Sequence, residues 1–275
     1  MAKSVEQEWE ELLLNETKKF QKLEKKLGRQ KRSKFEEVKN DLMGRIPEKV
    51  IKTLDAGFYK AFQLIFSKGI GIIGKTFDEK DLTLEFVVND FRVNGRPDSK
   101  SLRHMEKSMK KENRVNVIAS TVEGIGLGAL GIGLPDIPLF LGVLLKGIYK
   151  VSLGYGFDYK EEKEQILILK MITAALSDAS SMKEADGDVE AWIAKVEQKT
   201  IVYDIEEEIK KASQALSKAM LLSKFIQGFF VVGAIGGLSN PVIYHKVMNY
   251  VLLKYKKRYI NQKRVGIKNE RQSIL

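Results

Sequence analysis

The chain has 275 residues, 44% of them apolar, a formal net charge of +11 and no cysteine. That length supports a sizeable core, in one large domain or two small ones. The absence of cysteine excludes a thiolate nucleophile, a disulfide framework and a cysteine-type zinc site.

Taken in chain order, Val5, Trp9, Leu12, Phe20, Leu23 and Leu27 fall near a three/four spacing and predict an amphipathic helix over residues 5–27, ended by Gly28. A basic stretch follows, then a short helix over residues 35–45. Pro47 suits a first helical turn, and Val50, Leu54, Phe58, Phe62, Ile65 and Phe66 make an apolar stripe that stops at the glycines of residues 69–74. A helix near residues 82–91 leads to a turn at Asn94-Gly95-Arg96-Pro97. Ser99 can cap a long element carrying Leu102, Met105, Met109, Ile118, Val122 and Ile125. Asp136 can cap a helix that is apolar through Leu145 and ends near Gly154 and Gly156. Asp158 and Glu161 form a capping box ahead of a helix over residues 166–176, and residues 185–189 read as a polar turn. Further helices are predicted over residues 189–198, 203–227 and 241–259. No segment alternates with period two for long, and no solenoid-period repeat is present. The expected fold class is all-α.

Two segments are unusually apolar and rich in glycine. One runs from Gly124 through Pro135, Asp136 and Pro138 to Leu145; the other, from Phe225 to His245, has no formal charge. Glycine costs a helix about 1 kcal/mol relative to alanine, so its density calls for a reason. Close helix–helix approach is the usual one, and Gly124 and Gly128 have the required spacing. Buried core helices, membrane spans and a hairpin exchanging between the two all fit. A span needs about 20 continuous apolar residues, and Pro135, Asp136 and Pro138 break the first segment as Gln227, Ser239, Asn240 and Pro241 break the second. Two central Gly-rich helices in one multi-helix domain are the expectation.

The Gly-rich run followed by Leu-Pro-Asp-Ile-Pro and a helix closing in Tyr155-Gly156-Phe157-Asp158 resembles the EcsC family. So does the stretch from Val232 through Gly236 to Asn240, followed by a helix ending in Tyr255-Lys256-Lys257-Arg258, and so does Ile46-Pro47-Glu48-Lys49-Val50. The resemblance covers residues 45 to 260. It implies a domain over residues 46–260; the residues before it read as a helical extension over 1–45, and those after it as a disordered basic tail over 261–275. Pro241 departs from the family pattern, in which the helix continues. The family takes its name from a gene beside a bacterial ABC transporter operon. It has no assigned activity, so the resemblance implies no catalytic residues and no cofactor.

Gly69, Gly74, Lys75 and Thr76 match the phosphate-loop pattern GxxxxGK[ST], in which backbone amides cradle phosphates, the lysine reaches them and the hydroxyl holds Mg²⁺. Asp90 could order that metal. A true phosphate loop follows a buried strand, whereas the residues before Gly69 have helical spacing. A nucleotide hydrolase is therefore the alternative reading, not the leading one. The GxGxxG match at Gly126–Gly131 lacks the acidic residue expected downstream. His104 and His245 lie among lysines without metal-ligand spacing, so no metal site is expected. The run Glu206-Glu207-Glu208 reads as a solvated face.

Residues 156–210 hold 14 acids against 7 lysines, and residues 211–275 hold 12 basic residues against Glu270 alone. This asymmetry predicts an anionic partner for the C-terminal region. Lys254, Lys256, Lys257, Arg258, Lys263 and Arg264, with Tyr250, Tyr255 and Tyr259 between them, are the candidate membrane-surface residues. No nucleic-acid module is recognisable, so nucleic-acid binding by the tail is the second alternative. The N-terminus lacks an apolar signal region. The expectation is a non-enzymatic cytoplasmic interaction protein. It would act at the membrane face, on an anionic surface or a membrane protein, near a transporter as the resemblance implies.

Overall fold

The computed structural model describes residues 4–28, 43–44, 46–110, 136–178, 180–196, 204–226 and 241–274. Among these residues the secondary structure is helical, with no strand. Helix α1 spans Val5–Gly28 and α2 spans Glu48–Leu64. The chain continues through a π-helical turn, Ile65–Gly69, into the short α3, Ile70–Gly74. Then follow α4 (Glu79–Gly95), α5 (Ser99–Lys110), α6 (Asp136–Gly154), α7 (Glu162–Leu176), α8 (Met182–Val196), α9 (Ile205–Ile226) and α10 (Pro241–Ile274).

Helix α6 forms the centre. Ile137, Leu141, Leu144, Leu145 and Ile148 are fully buried, and α2, α4, α5 and α10 pack around it. Its stretch Ile137–Gly154 is long and apolar enough to cross a membrane, yet 83% of it is buried inside the protein. Its apolarity is therefore accounted for by packing. Gly147 lets α10 approach: a Cβ there would lie 2.7 Å from the Tyr244 hydroxyl and 3.1 Å from Met248 Sδ. Helix α7 is the second core element, buried from Glu164 through Leu169, and it packs against α8, α9 and α10.

Helix α6 ends where Gly156 takes a φ of 82°. The Gly156 amide donates to the Leu153 carbonyl and the Phe157 amide to that of Ser152, both at 2.9 Å. This paired closure satisfies the last helical carbonyls and turns the chain towards α7.

Several local expectations are corrected. The helical run that begins with α2 passes through the π turn and ends at Gly74, the last of the glycines of residues 69–74 rather than the first. Pro47 is the residue before α2, not within its first turn. Asp98, not Ser99, caps α5, accepting the Lys100 and Ser101 amides at 3.0 and 2.7 Å. Asp158 accepts the Lys160 amide in a tight turn, and α7 starts without a side-chain cap from Glu161. Residues 185–189 lie within α8. The C-terminal helix continues to Ile274, through residues read as a disordered tail. Of the helix over 35–45 only Met43 and Gly44 are described, and they are helical; the proposed contact between Gly-rich segments lies outside the described residues, as do Gly124, Gly128, Pro135, Gly236 and Asn240. Asp136 opens α6.

Candidate functional site

The phosphate-loop pattern folds as helix. The Lys75 amide donates to Gly71, Thr76 to Ile73 and Phe77 to Gly74, so these backbone donors are already used. The Thr76 hydroxyl turns back to the Ile73 carbonyl at 2.7 Å, and Lys146 from α6 donates to the Thr76 carbonyl at 2.8 Å. A Cβ on Gly74 would meet the Glu79 carboxylate and the Tyr159 hydroxyl. Asp90 accepts from the Tyr259 hydroxyl at 2.7 Å and from Lys263 at 2.7 Å. Gly69, Gly74, Lys75 and Thr76 thus form a packed helix end rather than an amide cradle. Isothermal calorimetry with Mg²⁺ and ATP or GTP is expected to show no micromolar binding. Binding abolished by Lys75→Ala would overturn this.

The six cations assigned to a membrane surface are placed differently by the structure. Arg258 is buried: its Nη1 donates to both Glu164 oxygens, at 2.8 and 3.0 Å, while its guanidinium stands 3.9 Å from the Phe157 ring centre. The Tyr255 hydroxyl donates to the same carboxylate at 2.7 Å. Lys254, 1% exposed, is held by Asp186 at 2.7 Å and by Glu190, and the Tyr250 hydroxyl also donates to Asp186. Lys257 reaches Glu190 at 3.2 Å. Lys256 bridges Glu16 at 2.8 Å and Glu106 at 2.9 Å, and Lys263 pairs with Asp90. Of the six, Arg264 is the one classed as exposed. The three interleaved tyrosines are buried as well. The reason is that a charge taken out of water needs a partner. The acidic α7 and α8 supply several of these partners across the bundle, so part of the charge asymmetry is matched within the molecule.

Burial of these groups shows in their protonation. Burial pushes the Glu16 carboxyl up, but Lys19 and Lys256 outweigh it and hold it below its ordinary value. Burial, then the hydrogen bond to Asp90, raises the Tyr259 phenol. The glutamate run is also not uniformly solvated: Glu208 is buried and paired with Lys170 at 2.8 Å, and Glu206 accepts from Tyr59.

What remains unspent lies on the outer side of α4 and α5. These neighbouring helices pack together, and Arg92 of α4 reaches His104 of α5 at 2.6 Å. Helix α5 buries Ser101, Leu102, Met105 and Met109 and exposes Lys100, Arg103 and Lys107. Those three residues have the i, i+3, i+7 spacing of one helix face. Among the described residues, no acid pairs with their side chains. Helix α4 buries Leu82, Asn89 and Val93. Its opposite face carries Leu84, Val87, Val88 and Phe91, exposed by 64, 55, 52 and 80%. Sequence reasoning missed this site, although the i, i+3, i+4, i+7 spacing of the α4 residues was its visible signal.

The family model described as "EcsC protein family" matches residues 6–260. The chain belongs to the EcsC family. Two relatives from Bacillus subtilis (strain 168) are similar to it. "Protein EcsC" is 29% identical over 123 residues, covering 44% of this chain and 49% of its own length. "Uncharacterized protein YdbA" is 38% identical over 69 residues, covering 24% of this chain and 25% of its own length. The chain therefore spans about half the length of the first relative and a quarter of the second. No solved structure matches it. The family match includes most of α1, which packs its Trp9, Leu12 and Phe20 into the common core.

Proposed function

We propose that this EcsC-family member is a non-catalytic interaction protein that attaches to an anionic membrane surface. The observation carrying this reading is the outward row Lys100, Arg103 and Lys107 on α5, with which no acid pairs among the described residues. The excess of 47 basic over 36 acidic residues gives it long-range support. A basic residue near an anionic leaflet contributes about 1 kcal/mol, so three contribute about 3 kcal/mol, a millimolar attraction. Attachment therefore needs a second contribution, either apolar contact or a membrane protein such as the transporter implied by the family resemblance.

Sedimentation with phosphatidylglycerol-containing vesicles tests the reading. The full chain is expected to pellet with them and not with purely zwitterionic vesicles, and to release as salt shortens the Debye length. Reversing the row with Lys100→Glu, Arg103→Glu and Lys107→Glu is expected to abolish pelleting, because these side chains are exposed and pair with no acid among the described residues. Failure of the unaltered chain to pellet at low salt, or tighter binding to duplex DNA than to vesicles, would refute the reading.

A further inference from the structure

We infer that the outer face of α4 is the element that enters the lipid, inserting Leu84, Val87, Val88 and Phe91 below the headgroups of an anionic bilayer. This rests on the membrane-surface reading and names its apolar partner.

Large exposed hydrophobic residues elsewhere in the described structure are dispersed: Val5, Leu14 and Leu23 along α1, and Val242 and Val265 near the two ends of α10. Four on one face of one helix is a different situation, because a contiguous apolar patch marks a contact surface. At 100° per residue, Leu84, Val87, Val88 and Phe91 fall on one side of α4. Leu82, Asn89 and Val93 occupy the other and hold the helix to the bundle. The outer stripe is therefore not required for folding.

Charge selects the partner. Exposed Lys80 lies one turn before Leu84 on the same face, and α5, which carries the exposed Lys100, Arg103 and Lys107, packs beside α4. Of the acids on α4, Glu79 is tied to Lys160 and Tyr159, Asp90 to Tyr259 and Lys263, and Glu85 is half-buried. Asp81 sits in the first turn, next to the positive helix end. An apolar stripe bordered by cations is the pattern of a helix lying in a headgroup layer, with its apolar side towards the acyl chains. The long lysine and arginine stems keep their charges at the surface while the stripe enters.

The absence of cysteine makes a site-specific probe simple. The full chain with Phe91→Cys, carrying an environment-sensitive fluorophore, is compared with the chain labelled through Gly187→Cys on the exposed side of α8. On adding phosphatidylglycerol/phosphatidylcholine vesicles, the probe at 91 is expected to brighten, shift to the blue and be quenched by lipid-borne quenchers. The probe at 187 is expected to stay unchanged. The unlabelled L84D/F91D chain is expected to lose vesicle partitioning by on the order of tenfold or more. If the unaltered chain pellets with vesicles but the probe at 91 stays in water and L84D/F91D pellets equally, the inference is overturned and the membrane reading stands. If the unaltered chain does not pellet, both fall. A concentration-dependent shift of the probe without vesicles would instead assign the face to a second protein copy and overturn the lipid assignment.

Discussion

Arg258→Met is expected to lower the unfolding free energy by about 3–5 kcal/mol, as removal of one partner from a buried ion pair does. Arg258 is 5% exposed and Glu164 2%, so water replaces neither partner. Without the guanidinium, Glu164 keeps the Tyr255 hydroxyl but no cation, and the carboxylate stays between α7 and α10. Methionine fills much of the volume, which isolates the charge effect from a cavity. Urea unfolding read by circular dichroism measures the change. The double variant Arg258→Met with Glu164→Met is expected to recover most of the loss, since two apolar residues remove the stranded charge. Arg258→Lys should fall between, because an ammonium cannot reproduce the planar stacking on Phe157. A stability within about 1 kcal/mol of the unaltered protein for Arg258→Met would show that the pair contributes little beyond packing.

This buried pair also explains why the C-terminal cations resist reading from sequence. Charge composition records how many acids and bases a segment has, not which helices become neighbours. Glu164 and Arg258 are far apart in the chain but hydrogen-bonded in the fold. The same applies to Asp186 and Lys254, and to Glu16 and Lys256. An external partner and an internal one leave the same mark on a one-dimensional charge profile. Tyr250, Tyr255 and Tyr259 show this too: their polar tips suit a headgroup layer, but in the fold two of them reach buried-side acids, Asp186 and Glu164, and the third reaches Asp90.

The helical class was legible because apolar spacing is repeated over long segments. Leu54, Phe58, Phe62 and Ile65 keep their predicted face, α6 begins and ends close to where Asp136 and Gly154 suggest, and α9 fills most of the predicted range 203–227. Local propensity failed where tertiary contacts outweighed it. Asp186-Gly187-Asp188 predicts a turn, yet Met182, Val189, Trp192 and Val196 are buried on one face of α8, and Asp186 is fixed by Tyr250 and Lys254. One glycine costs a helix only about 1 kcal/mol, which such burial exceeds. Helix α4 was legible as a helix, but its packing face was not, for another reason. It has apolar residues on two opposite faces, and periodicity alone cannot say which one meets the core. The wider-spaced set Leu82, Phe86, Asn89 and Val93 packs inward, although it contains an asparagine and the outer set does not.

Gly156→Ala is expected to destabilise the fold by about 2–4 kcal/mol, from two separable sources. The first is the backbone: at a φ of 82° an added Cβ crowds the following carbonyl, costing about 1–2 kcal/mol. The second is space, because that Cβ would meet the edge of the Phe86 ring. Phe86 cannot swing away freely, since it packs edge-on against Tyr259, whose hydroxyl is bonded to Asp90. The backbone is equally constrained, because the Gly156 and Phe157 amides close the end of α6. Comparing Gly156→Ala in the unaltered chain with Gly156→Ala on a Phe86→Ala background separates the terms. The ring clash should disappear on that background, and the backbone cost should remain. Thermal unfolding of the four proteins gives the cycle. Equal costs on both backgrounds would place the whole effect in the backbone, and no cost on either would mean that the turn leaves its left-handed geometry without loss.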